Sequence, residues 1–204
     1  MATLPTLYPT SLVTAGGWTD EAGGSPVATL IDDTTAGDTD YIRGVLNGST
    51  QPPGEWDLTD TPADFASMTS LSVEIRHSRG GVEGGDNGGG DDTYNLAVSV
   101  ETPAGVKIAG DTGALILIVE TGTVGYLVKT ETIVFPFVDT AATKATWDGA
   151  RVVLQGSFLQ SMGADGDRIW VDFVRLVNGI YVSSVALPPI STVVNQAINR
   201  AVSF

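Results

Sequence analysis

The chain has 204 residues, of which 42% are hydrophobic and 17% charged, with 25 glycines and no cysteine. A formal charge of −14 repels phosphate backbones and argues against direct nucleic-acid binding, while the missing cysteines remove disulfides, thiolate nucleophiles and cysteine-ligated zinc. No run of 18 apolar residues is present for a transmembrane helix, and the one histidine, His77, supplies neither a multi-histidine metal site nor a catalytic triad.

The charge is unevenly spread. Residues 1–100 hold 15 acids and 3 bases, a balance of −12, whereas residues 101–204 hold 9 acids and 7 bases, a balance of −2. No acid follows Asp172, and the final 32 residues carry only Arg175 and Arg200. Met1-Ala2-Thr3-Leu4-Pro5 has neither the basic region nor the apolar stretch of a signal peptide, so synthesis in a cytoplasm is expected.

In chain order, Val27 to Ile31 is a short apolar run, followed by an Asp-rich turn and the strand pattern Tyr41 to Leu46. Pro62 to Ala66 suits one helical turn. Leu71, Val73 and Ile75 then alternate with Ser72, Glu74 and Arg76, the period of a half-buried strand. His77 closes that strand and is expected at the surface or anchoring a loop. Residues 79–92, mostly Gly and Asp with Arg79, Val82, Glu83 and Asn87 between them, cannot pack a core and read as a flexible loop, fitting the tip of a long hairpin.

Leu96, Val98 and Val100 repeat the alternation, and Leu115 to Val119 is continuously apolar. Ile133, Phe135 and Phe137 alternate with Val134, Pro136 and Val138; Pro136 cannot donate to a ladder, which predicts an edge or a bulge. Val152 and Leu154 mark another strand. In the last long strand Ile169, Val171 and Phe173 are expected on one face, with Trp170, Asp172 and Val174 on the other.

About eight to ten strands joined by Gly-, Pro- and Asp-rich turns predict an antiparallel all-β fold. The simplest closure is a two-sheet jelly-roll β-sandwich over residues 1–182. Residues 183–204 form an apolar C-terminal extension. In it Val194, Ile198, Ala201 and Val202 fall at helical spacing, Val193 and Ala197 widen the stripe, and Ser191 suits the cap.

Four groups of residues are candidates for function. Asp32, Asp33, Asp38 and Asp40 crowd one turn, either a calcium site or a solvated acidic turn, without the spacing of an EF-hand loop. No other cofactor is expected. Trp18, Trp56 and Tyr94 are the first residues for a sugar-stacking platform, against their use as core. Glu74 and Glu101 are acids of the kind glycoside hydrolysis pairs, but they lie on the polar faces of their strands, and no enzyme activity is expected. The tail residues Val193, Val194, Ala197, Ile198, Ala201, Val202 and Phe204 would expose an apolar stripe unless it covers the sandwich, meets another subunit or docks on an assembly.

The opening reads Pro5-x-x-Tyr8-Pro9, Gly17-Trp18-Thr19, Ala28-Thr29-Leu30-Ile31-Asp32-Asp33 and Asp38-x-Asp40-Tyr41-Ile42. The close reads Arg168-Ile169-Trp170-Val171-Asp172-Phe173-Val174-Arg175-Leu176, then Tyr181-Val182. Over most of residues 5–182 this outline resembles small jelly-roll structural proteins of tailed bacteriophages, among head-decoration and minor tail components. It is also similar to carbohydrate-binding jelly rolls. The first resemblance implies a non-enzymatic virion protein, made in the host cytoplasm and displayed on the outer surface of a particle. Its partner would be the major capsid or a tail protein, with no membrane contact. A homo-oligomer is expected, a trimer or another small ring. The second implies a module that recognises host-surface glycans.

Overall fold

The computed structural model describes residues 1–20, 24–25, 28, 31, 41–46, 50–79, 93–110, 116–119, 129–160 and 167–185. The first strands are β1 (Ala2–Thr3), β2 (Pro9–Thr14), β3 (Trp18–Thr19), β4 (Ile42–Leu46) and β5 (Gly54–Leu58). They are followed by the long β6 (Phe65–Arg79), then β7 (Thr93–Glu101), β8 (Lys107–Gly110), β9 (Ile116–Val119), β10 (Lys129–Val134) and β11 (Phe137–Val138). A single turn of helix, α1 (Lys144–Asp148), precedes β12 (Arg151–Gln160) and β13 (Asp167–Ser183).

The strands form two antiparallel sheets. One runs β10-β6-β13-β4-β3, with β1 beside the far half of β13. The other runs β11-β8-β7-β12-β5-β2, with β9 beside β7. The pairing is nested: β4 with β13, β5 with β12, β6 with β10, and β7 with β8. A ribbon of nested pairs wound into two facing sheets is the jelly roll. The two-sheet expectation is met.

The alternation in the sequence places the core. Leu71, Val73 and Ile75 of β6 face Leu96, Val98 and Val100 of β7 and Val152 and Leu154 of β12, all buried in one cluster. Trp18 stitches the layers, donating its indole N–H to the Leu154 carbonyl at 3.0 Å. The partner edge of β13 is occupied along its length. After β4 come the Ile31 carbonyl, which accepts from Val174, then Leu7, which exchanges bonds with Leu176, then Leu4, which donates to the Gly179 carbonyl at 2.8 Å. Gly179 allows that approach: a Cβ there would lie 2.7 Å from the Leu4 side chain.

Several expectations are corrected. Ala28 and Ile31, the residues described in the first apolar run, lie in turns and not in a strand, though both are buried. Pro62 to Ala66 forms a tight turn, with Phe65 N–H bonded to the Pro62 carbonyl, and Phe65 already opens β6. β6 and β7 do not pair as the two arms of a hairpin, because they belong to different sheets, and residues 80–92 between them lie outside the described residues. The Ile133–Val138 pattern is two strands: β10 ends at Val134, the chain crosses at Phe135 and Pro136, and β11 joins the other sheet.

In β13 the pairing with β6 slips between Val171 and Phe173. A bulge changes which alternate residues point inward. Hence Val174 and Leu176 join Ile169 and Val171 in the cluster between the sheets, while Phe173, still buried at 2% exposure, lies outside that cluster.

The long strands also give the sandwich two distinct ends. Arg79, Thr93, Lys129, Gln160 and Asp167, which flank residues 80–92, 120–128 and 161–166, lie toward one end by their pairings. Ser183 pairs with Phe65 at the other.

Candidate functional site

Much of the chemistry suggested by the sequence is spent on packing. Trp18 and Trp56 are buried, at 1% and 0% exposure, between the sheets. This corrects the sugar-platform reading for both: inward positions on β3 and β5 turn the rings into core. Tyr94 lies on β7 opposite Phe158 and Ile118, and its side chain falls outside the described residues.

Glu74 and Glu101 do not form a pair, since β6 and β7 lie in different sheets. Glu74 accepts from Arg175 Nε at 2.8 Å, and Glu101 accepts from Ser99 Oγ at 2.7 Å. His77 is not at the surface. It sits at 1% exposure opposite Val171 and Lys129. Burial, with the Lys129 charge adding to it, lowers its pKa to about 4.

The outer face of the β6–β13 sheet carries a laced polar layer. Arg76 pairs with Asp172 and Arg175 with Glu74, and the Arg175 guanidinium lies 4.5 Å from the Phe173 ring centre, which occupies that face because of the bulge. The hydrogen bond to Glu74 raises the Arg175 pKa further above its ordinary value. On the other sheet Arg151 bridges Glu55 and Asp57 at 3.0 and 3.4 Å.

Among the described residues, no group of three or more histidines, aspartates and glutamates is placed to hold a metal ion. Asp32, Asp33, Asp38 and Asp40 lie outside the described residues, as do Val193, Val194, Ala197, Ile198, Ala201, Val202 and Phe204.

The arrangement most unlike packing is the exit of β13. Asp64, in the turn that opens β6, accepts from Tyr181 Oη at 2.9 Å and from Ser183 Oγ at 2.6 Å. Its carbonyl accepts the Ser184 N–H at 2.6 Å and the Ser184 hydroxyl at 3.1 Å. The hydrogen bond from Ser183, then that from Tyr181, hold the Asp64 carboxyl below its usual range. Tyr181 also stacks on Phe65 at 5.4 Å, and Phe65 meets Trp147 of α1 edge-on.

Beside this clamp Ile180, Val182 and Val185 stand exposed, at 41%, 40% and 67%. Sequence reading passed over them; the signal was Ile180 and Val182 alternating with Tyr181 just before the acid-free tail.

No family model matches the chain, and no curated protein matches it. Among solved structures, an arabinose-bound GH51 α-L-arabinofuranosidase is similar with a TM-score of 0.38 and 13% identity, over 84% of this chain and 26% of that one. The chain therefore spans about a quarter of that neighbour's length, and a likeness of this size carries no inference about activity.

Proposed function

We propose that the chain is a non-enzymatic structural module held on a larger particle by the stretch that follows residue 185. The observation that carries this reading is the clamped apolar exit. Asp64 fixes where the chain leaves β13, and Ile180, Val182 and Val185 lie exposed at that point. The residues beyond it continue the apolar, acid-free character. Exposed apolar surface that continues into an apolar segment favours contact with another surface. At the opposite end the strand ends flank the Gly- and Asp-rich stretch 80–92. One end thus suits docking and the other suits display.

The motif resemblance gives the particle: the virion of a tailed bacteriophage, on the capsid or on the tail or neck. Its major capsid or tail protein would receive residues 188–204. Deleting those residues is expected to abolish incorporation into particles while the thermal unfolding of the purified sandwich stays unchanged. A truncated chain that decorates particles at wild-type occupancy overturns the reading.

A further inference from the structure

Antiparallel sheets have edges, and soluble proteins blunt them with shortness, proline or bulges. In this chain β1, β3 and β11 have two residues each and β9 has four. The six-residue edge β2 begins with Pro9, and its pairing with β5 slips twice, between Pro9 and Ser11 and between Leu12 and Thr14. Among the described residues, the edge strand β10 is neither short, nor broken by proline, nor bulged, and the two charges it carries, Lys129 and Glu131, are of opposite sign. Lys129 to Val134 pair with His77 to Ser72 without a slip, and Pro136 comes only after the strand has ended.

The direction of its backbone groups follows from one bond. Phe135 N–H donates to the Leu71 carbonyl at 3.0 Å. Hydrogen-bonded and non-hydrogen-bonded positions alternate in an antiparallel ladder. Ile133, Glu131 and Lys129 therefore bond toward β6, and the N–H and C=O groups of Thr130, Thr132 and Val134 point away from the sheet. The side chains of these three residues are exposed, Val134 at 69%.

We propose that β10 is a self-pairing edge, and that two copies of the chain join through it, antiparallel, about a two-fold axis. Centred on Thr132, the pairing sets Thr132 against its own equivalent and Thr130 against Val134 of the copy. All three are outward-bonding positions, so the ladder closes with six main-chain hydrogen bonds, counted from the alternation rule. The outer face gains β-branched cross-strand pairs. Glu131 falls opposite Ile133 and not opposite another carboxylate. Lys129 and Glu131 cancel, so the strand is neutral within a chain of charge −14. A contact through neutral strands brings two acidic bodies together where repulsion is least. The same patch on both partners is what a two-fold contact requires. This contact goes beyond the particle-docking role and does not depend on it.

The test is sedimentation of the full chain. The expected mass is twice 21.1 kDa, and the amide protons of Thr130, Thr132 and Val134 are expected to exchange slowly in the dimer and fast after dilution to monomer. Thr132→Pro removes one outward donor while leaving the bonds to β6, and Val134→Lys puts a charge on the edge. Either is expected to halve the mass without lowering the melting temperature. Should the proline variant fail to fold, the lysine variant decides. A wild-type chain that stays at monomer mass at every concentration overturns the proposal, as does a dimer that survives both substitutions.

Discussion

The indole N–H of Trp18 reaches across the core to the carbonyl of Leu154, so a residue of one sheet hydrogen-bonds the backbone of the other. Trp18→Phe keeps most of the ring but removes the donor, and is expected to cost about 2 kcal/mol. Trp18→Ala also opens a cavity and is expected to cost about 3–5 kcal/mol. Urea unfolding of the three proteins checks both values; equal midpoints for wild type and Trp18→Phe would show that the bond contributes nothing.

His77 makes stability depend on pH. Its ordinary pKa is 6.5 and the folded value is about 4. Between these values the unfolded chain binds a proton that the folded chain does not. The stabilisation is complete above the upper value and is lost as pH falls toward the lower one, by roughly 3 kcal/mol. Unfolding free energies measured across that window should show this slope in the wild type. His77→Leu should flatten it, leaving the carboxylate contribution at lower pH.

Arg76 and Asp172 form a largely buried ion pair, their side chains 14% and 8% exposed. Arg76→Met removes the guanidinium that pairs with this buried carboxylate and should destabilise by about 3 kcal/mol. Adding Asp172→Leu to Arg76→Met should recover most of that loss, because the remaining charge is gone. Thermal denaturation of the single and double variants tests this; a double variant less stable than Arg76→Met contradicts it.

Gly44 is shaped by Gln51. A Cβ on Gly44 would lie 2.4 Å from Gln51 Oε1, and Gln51 is itself buried at 3% exposure with little room to withdraw. Gly44→Ala is expected to cost about 1–3 kcal/mol through overpacking. Gln51→Ala in the same chain should relieve it, so that the two changes are less than additive. A double-variant cycle by chemical denaturation gives the coupling.

The two-layer fold was legible because Leu71 to Ile75, Leu96 to Val100 and Val152 to Leu154 keep a strict period of two over a buried face. What escaped reading has physical reasons. The flip of Phe173 depends on a bulge, which changes the register through pairing with β6 and leaves no local mark. The five residues of α1 are too few to show a helical period. Thr143 makes no side-chain cap there, and the turn is held instead by Lys144 and Thr61 converging on Asp148.

His77 looked like a strand end because β6 was read as stopping near it, whereas β6 runs on to Arg79 and carries the imidazole inward. For the candidate site, Trp18 and Trp56 carry the same letter whether they stack sugars or fill a core; only the sheet to which each belongs decides. The Asp64 clamp joins residues 117 to 120 positions apart, and no sequence pattern announces a contact of that span.

The place of β13 has a kinetic consequence. Among the described strands β13 comes latest in the chain, yet it lies inside its sheet, flanked by β6 and β4. Until it leaves the ribosome those two strands have no neighbour on their facing sides, and ordering them early would expose two adhesive flanks. Folding of this sheet must therefore wait for β13, which places it among the slow, non-local topologies. A stop codon inside β13 should yield an aggregating fragment and not a smaller sandwich.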